Sequence, residues 1–184
     1  GVERTAGAST MMHDVLILTP FLPPAPGGAA VYTSILSRGL VEQEIARRVV
    51  VVSERHPERP DVEEGHAGRL VFLRLFPFRA GRAVKDLRSY LDYARQQVAL
   101  RQLGGIVTEH KISTVLVHAS LLYHPGLARA VLRRLKRRHR TRIVLDVRDP
   151  KLPAHLLAEP GEFDAVICCA ERIVRDLGSA FPHY

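Results

Sequence analysis

Six short apolar runs, each set off from the next by polar or helix-period sequence, constrain the fold of this chain more than any other feature. They cover residues 15–19, 48–53, 70–75, 113–118, 141–147 and 163–169. Their nearly unbroken hydrophobicity suits strands covered on both faces, and β-branched residues dominate the second, Val49-Val50-Val51-Val52. Between them, residues 29–44 are expected to be helical, with Val31, Ile35, Leu36 and Leu40 on one apolar face. A long helix is expected from Arg82, its stripe drawn by Val84, Leu87, Leu91, Ala94 and Val98, with Gly104-Gly105 ending or kinking it. Further helices are expected over residues 127–138 and from Glu171. Residues 54–68 are polar and breaker-rich and read as a surface loop. Strands alternating with helices predict an α/β fold, a Rossmann-like doubly wound sheet of six parallel strands with helices on both faces.

A length of 184 residues suits one domain, expected over residues 13–184, with residues 1–12 a leader or expression remnant. A net charge of +8 leaves nucleic acid, an anionic membrane face or a phosphorylated substrate open. With 6% aromatic residues and no Trp, a base-stacking platform is not expected, so nucleic acid is not among the expected partners. No run approaches a membrane span, and a cytoplasmic location, peripheral at the inner membrane face, is expected. The two cysteines, Cys168 and Cys169, are neighbours in a strand, point to opposite faces and make a poor disulfide pair, which fits a reducing compartment. No metal cluster can be assembled from them.

In an open parallel sheet, ligands bind outside the carboxyl ends of the strands. The loop after the first strand holds Gly27-Gly28 just before a helix, where a close backbone approach and free N–H groups favour a phosphate. Neither G-x-G-x-x-G nor the P-loop pattern is present, and a plain strand-to-helix turn needs small residues too. Arg148-Asp149 follows the fifth run and either orients sugar hydroxyls and phosphate or forms a local ion pair. His118 and Ser120 follow the fourth, in a binding or a structural role. Glu171 opens the last helix, where a carboxylate also suits the helix dipole. Arg133, Arg134, Arg137 and Arg138 belong to a basic helix that forms a solvated face or docks on an anionic membrane or acceptor.

These pieces, in this order, resemble the N-terminal domain of the GT-B glycosyltransferases, in particular the retaining GT4 group. The resemblance rests on Val15-Leu16-Ile17-Leu18-Thr19-Pro20 with Pro26-Gly27-Gly28, on residues 115–120, on Leu145-Asp146-Val147-Arg148-Asp149-Pro150, and on Phe163-Asp164-Ala165-Val166-Ile167 running to Ala170-Glu171. It implies half of a GT-B fold whose whole moves a sugar from a nucleotide-sugar donor to a lipid-linked or phosphorylated acceptor. It implies no cofactor and no metal, and a second, donor-binding domain that this chain does not contain. Gly27 and Gly28 then approach the donor diphosphate and the acceptor, and Arg148, with Asp149 beside it, takes the place of a His that contacts the donor sugar. The sequence departs from the family at Ala46-Arg47-Arg48, where Gly-His is usual, and at Ala170, where Ser is common. The alternative is a stand-alone flavodoxin-like module that binds nucleotide or phosphate without catalysis.

Overall fold

Val49 to Val52, fully buried and β-branched, form the middle of a strand on which the rest of the sheet is laid. A computed structural model describes residues 13–76, 91, 94–95, 98–122, 125–148 and 162–178. Its strands are β1 (His13–Leu18), β2 (Ala46–Glu54), β3 (Val62–Gly65), β4 (Leu70–Phe76), β5 (Thr114–His118), β6 (Arg142–Val147) and β7 (Ala165–Cys168). The helices are α1 (Gly28–Glu42), α2 (Leu103–Glu109), α3 (Pro125–His139) and α4 (Glu171–Gly178), with a 3-10 turn at Ala119–Leu122. One seven-stranded sheet has the order β3-β4-β2-β1-β5-β6-β7. The fold is the Rossmann-like α/β arrangement expected from the alternation of runs.

Every pairing is parallel except β3 with β4. The six expected strands are all present and parallel to one another; the expectation of a loop over residues 54–68 is corrected, because part of it is a seventh, antiparallel edge strand. Val62-Glu63-Glu64-Gly65 carries no apolar run, and its hold comes from outside it. The buried Arg74 of β4 donates to the Pro60 carbonyl at 2.9 Å and to Glu63 Oε2 at 2.9 Å. Left-handed backbone at His66, Ala67 and Gly68 reverses the chain between the two strands.

Strand alternation sends residues to two cores. Ile17, Val49, Val51 and Phe72 pack with Val41, Leu36 and Leu40 of α1. Leu16, Leu18, Val50, Val115 and Ile143 pack with α2, α3 and α4 through Leu103, Ile106, Leu132, Leu135 and Ile173. Helices therefore cover both faces.

Two helix registers differ from expectation. The face α1 buries is Ala30, Thr33, Ser37 and Val41, while Val31 and Ile35 are 56% and 66% exposed. Small residues let the helix approach the sheet closely, and the Thr33 hydroxyl is satisfied by the Ala29 carbonyl at 2.9 Å. Second, Leu91 and Val98 are 48% and 58% exposed and Ala94 is exposed too, whereas Ala99 and Leu100 are buried. The strongly apolar stripe changes sides near Val98, which regular spacing does not reveal. Val84 and Leu87 lie outside the described residues. Gly104-Gly105 do not end a helix; the break falls just before α2, at Gln102.

The chain builds β1, β2 and β4 outward on one side and β5, β6 and β7 outward on the other. The strand order thus reverses between β1 and β5, and at the carboxyl edge of such a reversal an open α/β sheet forms its ligand crevice.

Candidate functional site

Three strand ends converge at this crevice. After β1, the Thr19 Oγ1 accepts the Phe21 N–H at 3.1 Å, a local turn that sets Phe21 edge-on to His118, ring centroids 5.5 Å apart. The chain then reaches Gly27, whose φ of 113° and ψ of 162° belong to glycine alone. Gly28 opens α1, whose first turn has neither a side-chain cap nor an acidic residue. A Cβ at Gly27 or Gly28 would meet nothing within 4 Å, so the space before this helix end is open. Positive dipole end, uncapped N–H groups and open space are what an anion needs.

His118 ends β5 and is buried. Its Nδ1 accepts the Ser120 N–H at 3.2 Å and lies 2.7 Å from Ser120 Oγ, so the neutral ring carries its proton on Nε2. His118 is register partner to Asp146 of β6, and alternation puts both on the α1 face of the sheet.

Arg148, just past β6, is held on two sides. Its Nε and Nη2 donate to Asp146 Oδ2 and Oδ1 at 2.8 and 3.0 Å, and its guanidinium carbon lies 3.1 Å from the Tyr32 ring centroid. The side chain is only 14% exposed. Burial works against its charged form, but the Asp146 carboxylate outweighs it and holds the guanidinium above its ordinary pKa. Tyr32 sits one turn after Gly28 in α1. Arg148 and the Gly27-Gly28 turn therefore border the same crevice, together with His118 and Ser120. Asp149 lies outside the described residues. The bidentate partner of Arg148 is Asp146, which the sequence reading passed over as a strand residue. A carboxylate inside an otherwise apolar buried run was the signal for it. Nothing in the sequence marked Tyr32.

Other candidates fall elsewhere. Glu171 is exposed in the first turn of α4, beyond the outer strand β7 and two strands from β5, where it suits the helix dipole. The four arginines of α3 do not form one patch. Arg133 is ion-paired with Glu162, to which Arg129 also binds at 2.8 Å, and Lys136 meets Asp164 at 2.9 Å. Arg134 and Arg138 instead face α2, while Arg137 lies on the Glu162 side. Cys168 and Cys169 are free thiols, and burial pushes the Cys168 thiol up, away from reactivity. Among the described residues no group of three His, Cys, Asp or Glu is arranged to hold a metal, and no helix is long and apolar enough to cross a membrane.

Compared with protein-family models and with curated proteins, the chain matches none. The functional reading therefore rests on the crevice.

Proposed function

We propose that this chain is the N-terminal, acceptor-side domain of a GT-B glycosyltransferase similar to the retaining GT4 group. The observation that carries the reading is the crevice at the strand-order reversal, where the uncapped start of α1 at Gly27-Gly28 meets His118, Ser120 and Arg148. In this reading the α1 N–H groups receive a donor diphosphate or an acceptor phosphate. His118, its Nδ1 turned to Ser120 and its ring edge-on to Phe21, shapes the wall of the site. Arg148 has two of its five N–H donors on Asp146, and the remaining ones face the developing charge of the leaving diphosphate. Asp149 stands beside it in sequence. Catalysis is then positioning and electrostatic stabilisation, with a nucleotide-sugar as donor substrate, no metal required, and the second α/β domain supplying the remaining donor contacts. The exposed Arg134, Arg137 and Arg138 support peripheral docking on an anionic cytoplasmic membrane face that carries a lipid-linked or phosphorylated acceptor.

Amide NMR titration with pyrophosphate and with nucleoside diphosphates tests the crevice. Shifts are expected at Gly28, Ala29, Ala30 and Ser120, with Arg148→Met weakening binding about tenfold, the worth of one charge-assisted hydrogen bond. Shifts confined to other segments overturn the site. Sugar transfer is tested on the product of the full reading frame with a panel of nucleotide-sugars and lipid or phosphate acceptors; no transfer and no donor hydrolysis overturns the activity.

A further inference from the structure

At the amino edge of the sheet, opposite the crevice, a recess of about 380 Å³ forms where β1, β2 and β4 begin and α2 ends. Four of its lining residues are Arg or Lys, namely Arg47, Arg48, Arg69 and Lys111, against two carboxylates, Asp14 and Glu109. Asp14 is buried and already committed, because Arg47 donates to both of its oxygens. The carboxyl ends of α1 and α2 offset about half a charge each, so the recess keeps a positive excess.

The other two guanidiniums are held by neutral acceptors. Arg69 donates from Nε to the Arg47 carbonyl at 3.1 Å and from Nη2 to the Val41 carbonyl at 3.0 Å. Arg48 Nη1 lies 3.4 Å from His110 Nδ1, which accepts, since an arginine can only donate. Bonds of this kind fix where a guanidinium points without cancelling its charge. Both arginines are half-buried. Among the described residues no carboxylate is within ion-pair distance of Arg48, Arg69 or Lys111. Like charges gathered and partly desolvated in one recess repel, and a bound anion relieves that repulsion.

The lining also selects the kind of anion. Guanidinium forks match the oxygens of a phosphate. No aromatic residue is present to stack a base, and Ala67 is the one apolar side chain, so neither a nucleobase nor an alkyl tail is accommodated. The volume suits a small solute. We infer that this recess is a second anion site, for a small, multiply charged phosphate compound bound by Arg48, Arg69 and Lys111 while Arg47 stays with Asp14. It lies at the edge of the sheet away from Gly28 and Arg148, and its occupancy is independent of the function proposed for the crevice.

The test is an amide NMR titration of the 184-residue chain with pyrophosphate at constant ionic strength, with affinities fitted residue by residue. Saturable shifts are expected at Ala67, Gly68, His110 and Lys111, whether or not Gly28 and Ser120 also shift. Arg148→Met, which weakens the crevice, should leave them in place. Two glycine variants form a matched pair, because Lys111 and Arg140 both have φ of 52° and each loses one charge at a position that glycine occupies without strain. Lys111→Gly is expected to weaken binding in the recess about tenfold with its thermal midpoint kept or raised, and Arg48→Met to weaken it by a similar factor. Arg140→Gly, outside the lining, should leave the affinity unchanged. Equal weakening by the two glycine variants would mean diffuse charge rather than a site and overturns the inference. So does an affinity that neither Lys111→Gly nor Arg48→Met changes, or the absence of saturable shifts at Ala67, Gly68, His110 and Lys111.

Discussion

Arg148 shows how a single residue joins two parts of the crevice. Its guanidinium is clamped by Asp146, two residues earlier in β6, and covers the Tyr32 ring of α1, so it fixes where that helix begins relative to β6. Asp146→Ala leaves a mostly buried cation without its carboxylate and is expected to cost about 2–4 kcal/mol in urea unfolding at pH 7. Asp146→Asn, which keeps one acceptor, should cost less. A loss below about 1 kcal/mol for the alanine variant would mean that solvent, rather than Asp146, holds the guanidinium. At this scale the sequence was half legible. That Gly27, Gly28, His118 and Arg148 follow strand ends was legible because each comes after an apolar run. Asp146 and Tyr32 were not, because a bidentate pair and a ring contact depend on strand direction and helix rotation, which spacing leaves free.

Elements were legible where burial is symmetrical and obscure where it is not. Both faces of β2 and β6 are covered, so their apolar runs announce them. The hairpin strand β3 is polar and exists through Arg74, a partner outside it. Helix α1 misleads in part, since Leu36 and Leu40 pack on the sheet as expected but Val31 and Ile35 face solvent. Ile35→Lys is accordingly expected to change stability by less than about 0.5 kcal/mol, while Ser37→Leu, which forces bulk under the helix, costs about 1–3 kcal/mol. Thermal melts of the pair decide which face is buried; the reverse order would restore the face read from sequence. Strand β7 depends on Asp164 in a comparable way. Its Oδ2 accepts the Ile143 N–H at 2.8 Å, its own N–H donates to the Ile143 carbonyl at 2.7 Å, and Lys136 pairs with it. Burial raises the carboxyl, but the Ile143 N–H and the Lys136 charge outweigh it and leave the group below its ordinary value of 3.8. A depressed folded value means that this stabilisation is complete above about pH 4 and is lost as pH falls through the folded value. Asp164→Ala should therefore be about 1–2 kcal/mol less stable than the parent at pH 7, with the gap closing in acid. A gap independent of pH down to acid unfolding would assign the effect to packing instead.

For the molecule as a whole, the fold class was the most legible property, because six runs in alternation admit few arrangements of layers. Charge was the least. The basic helix reads as one patch in sequence, yet ion pairs to Glu162 and Asp164 divide it into a tethered side and a free one. Peripheral docking is checked by liposome sedimentation: the chain should pellet with vesicles containing anionic lipid and stay in the supernatant with neutral ones. Equal recovery in both supernatants removes it. The reversal of strand order has a further consequence. Strands β2, β3 and β4 lie on one side of β1, and strands β5, β6 and β7 lie on the other, so among the described residues the backbone ladder crosses the middle only where Val15–Leu18 meets Thr114–Val117. That line is a seam between two sequence-contiguous halves that share one apolar interior, Leu16 and Val50 from one half against Val115 and Ile143 from the other. Severing the chain between β4 and α2 should give two pieces that are each unstructured yet reassemble when mixed, recovering the circular dichroism of the intact sheet. A first piece that folds alone would make the seam a boundary between independent units.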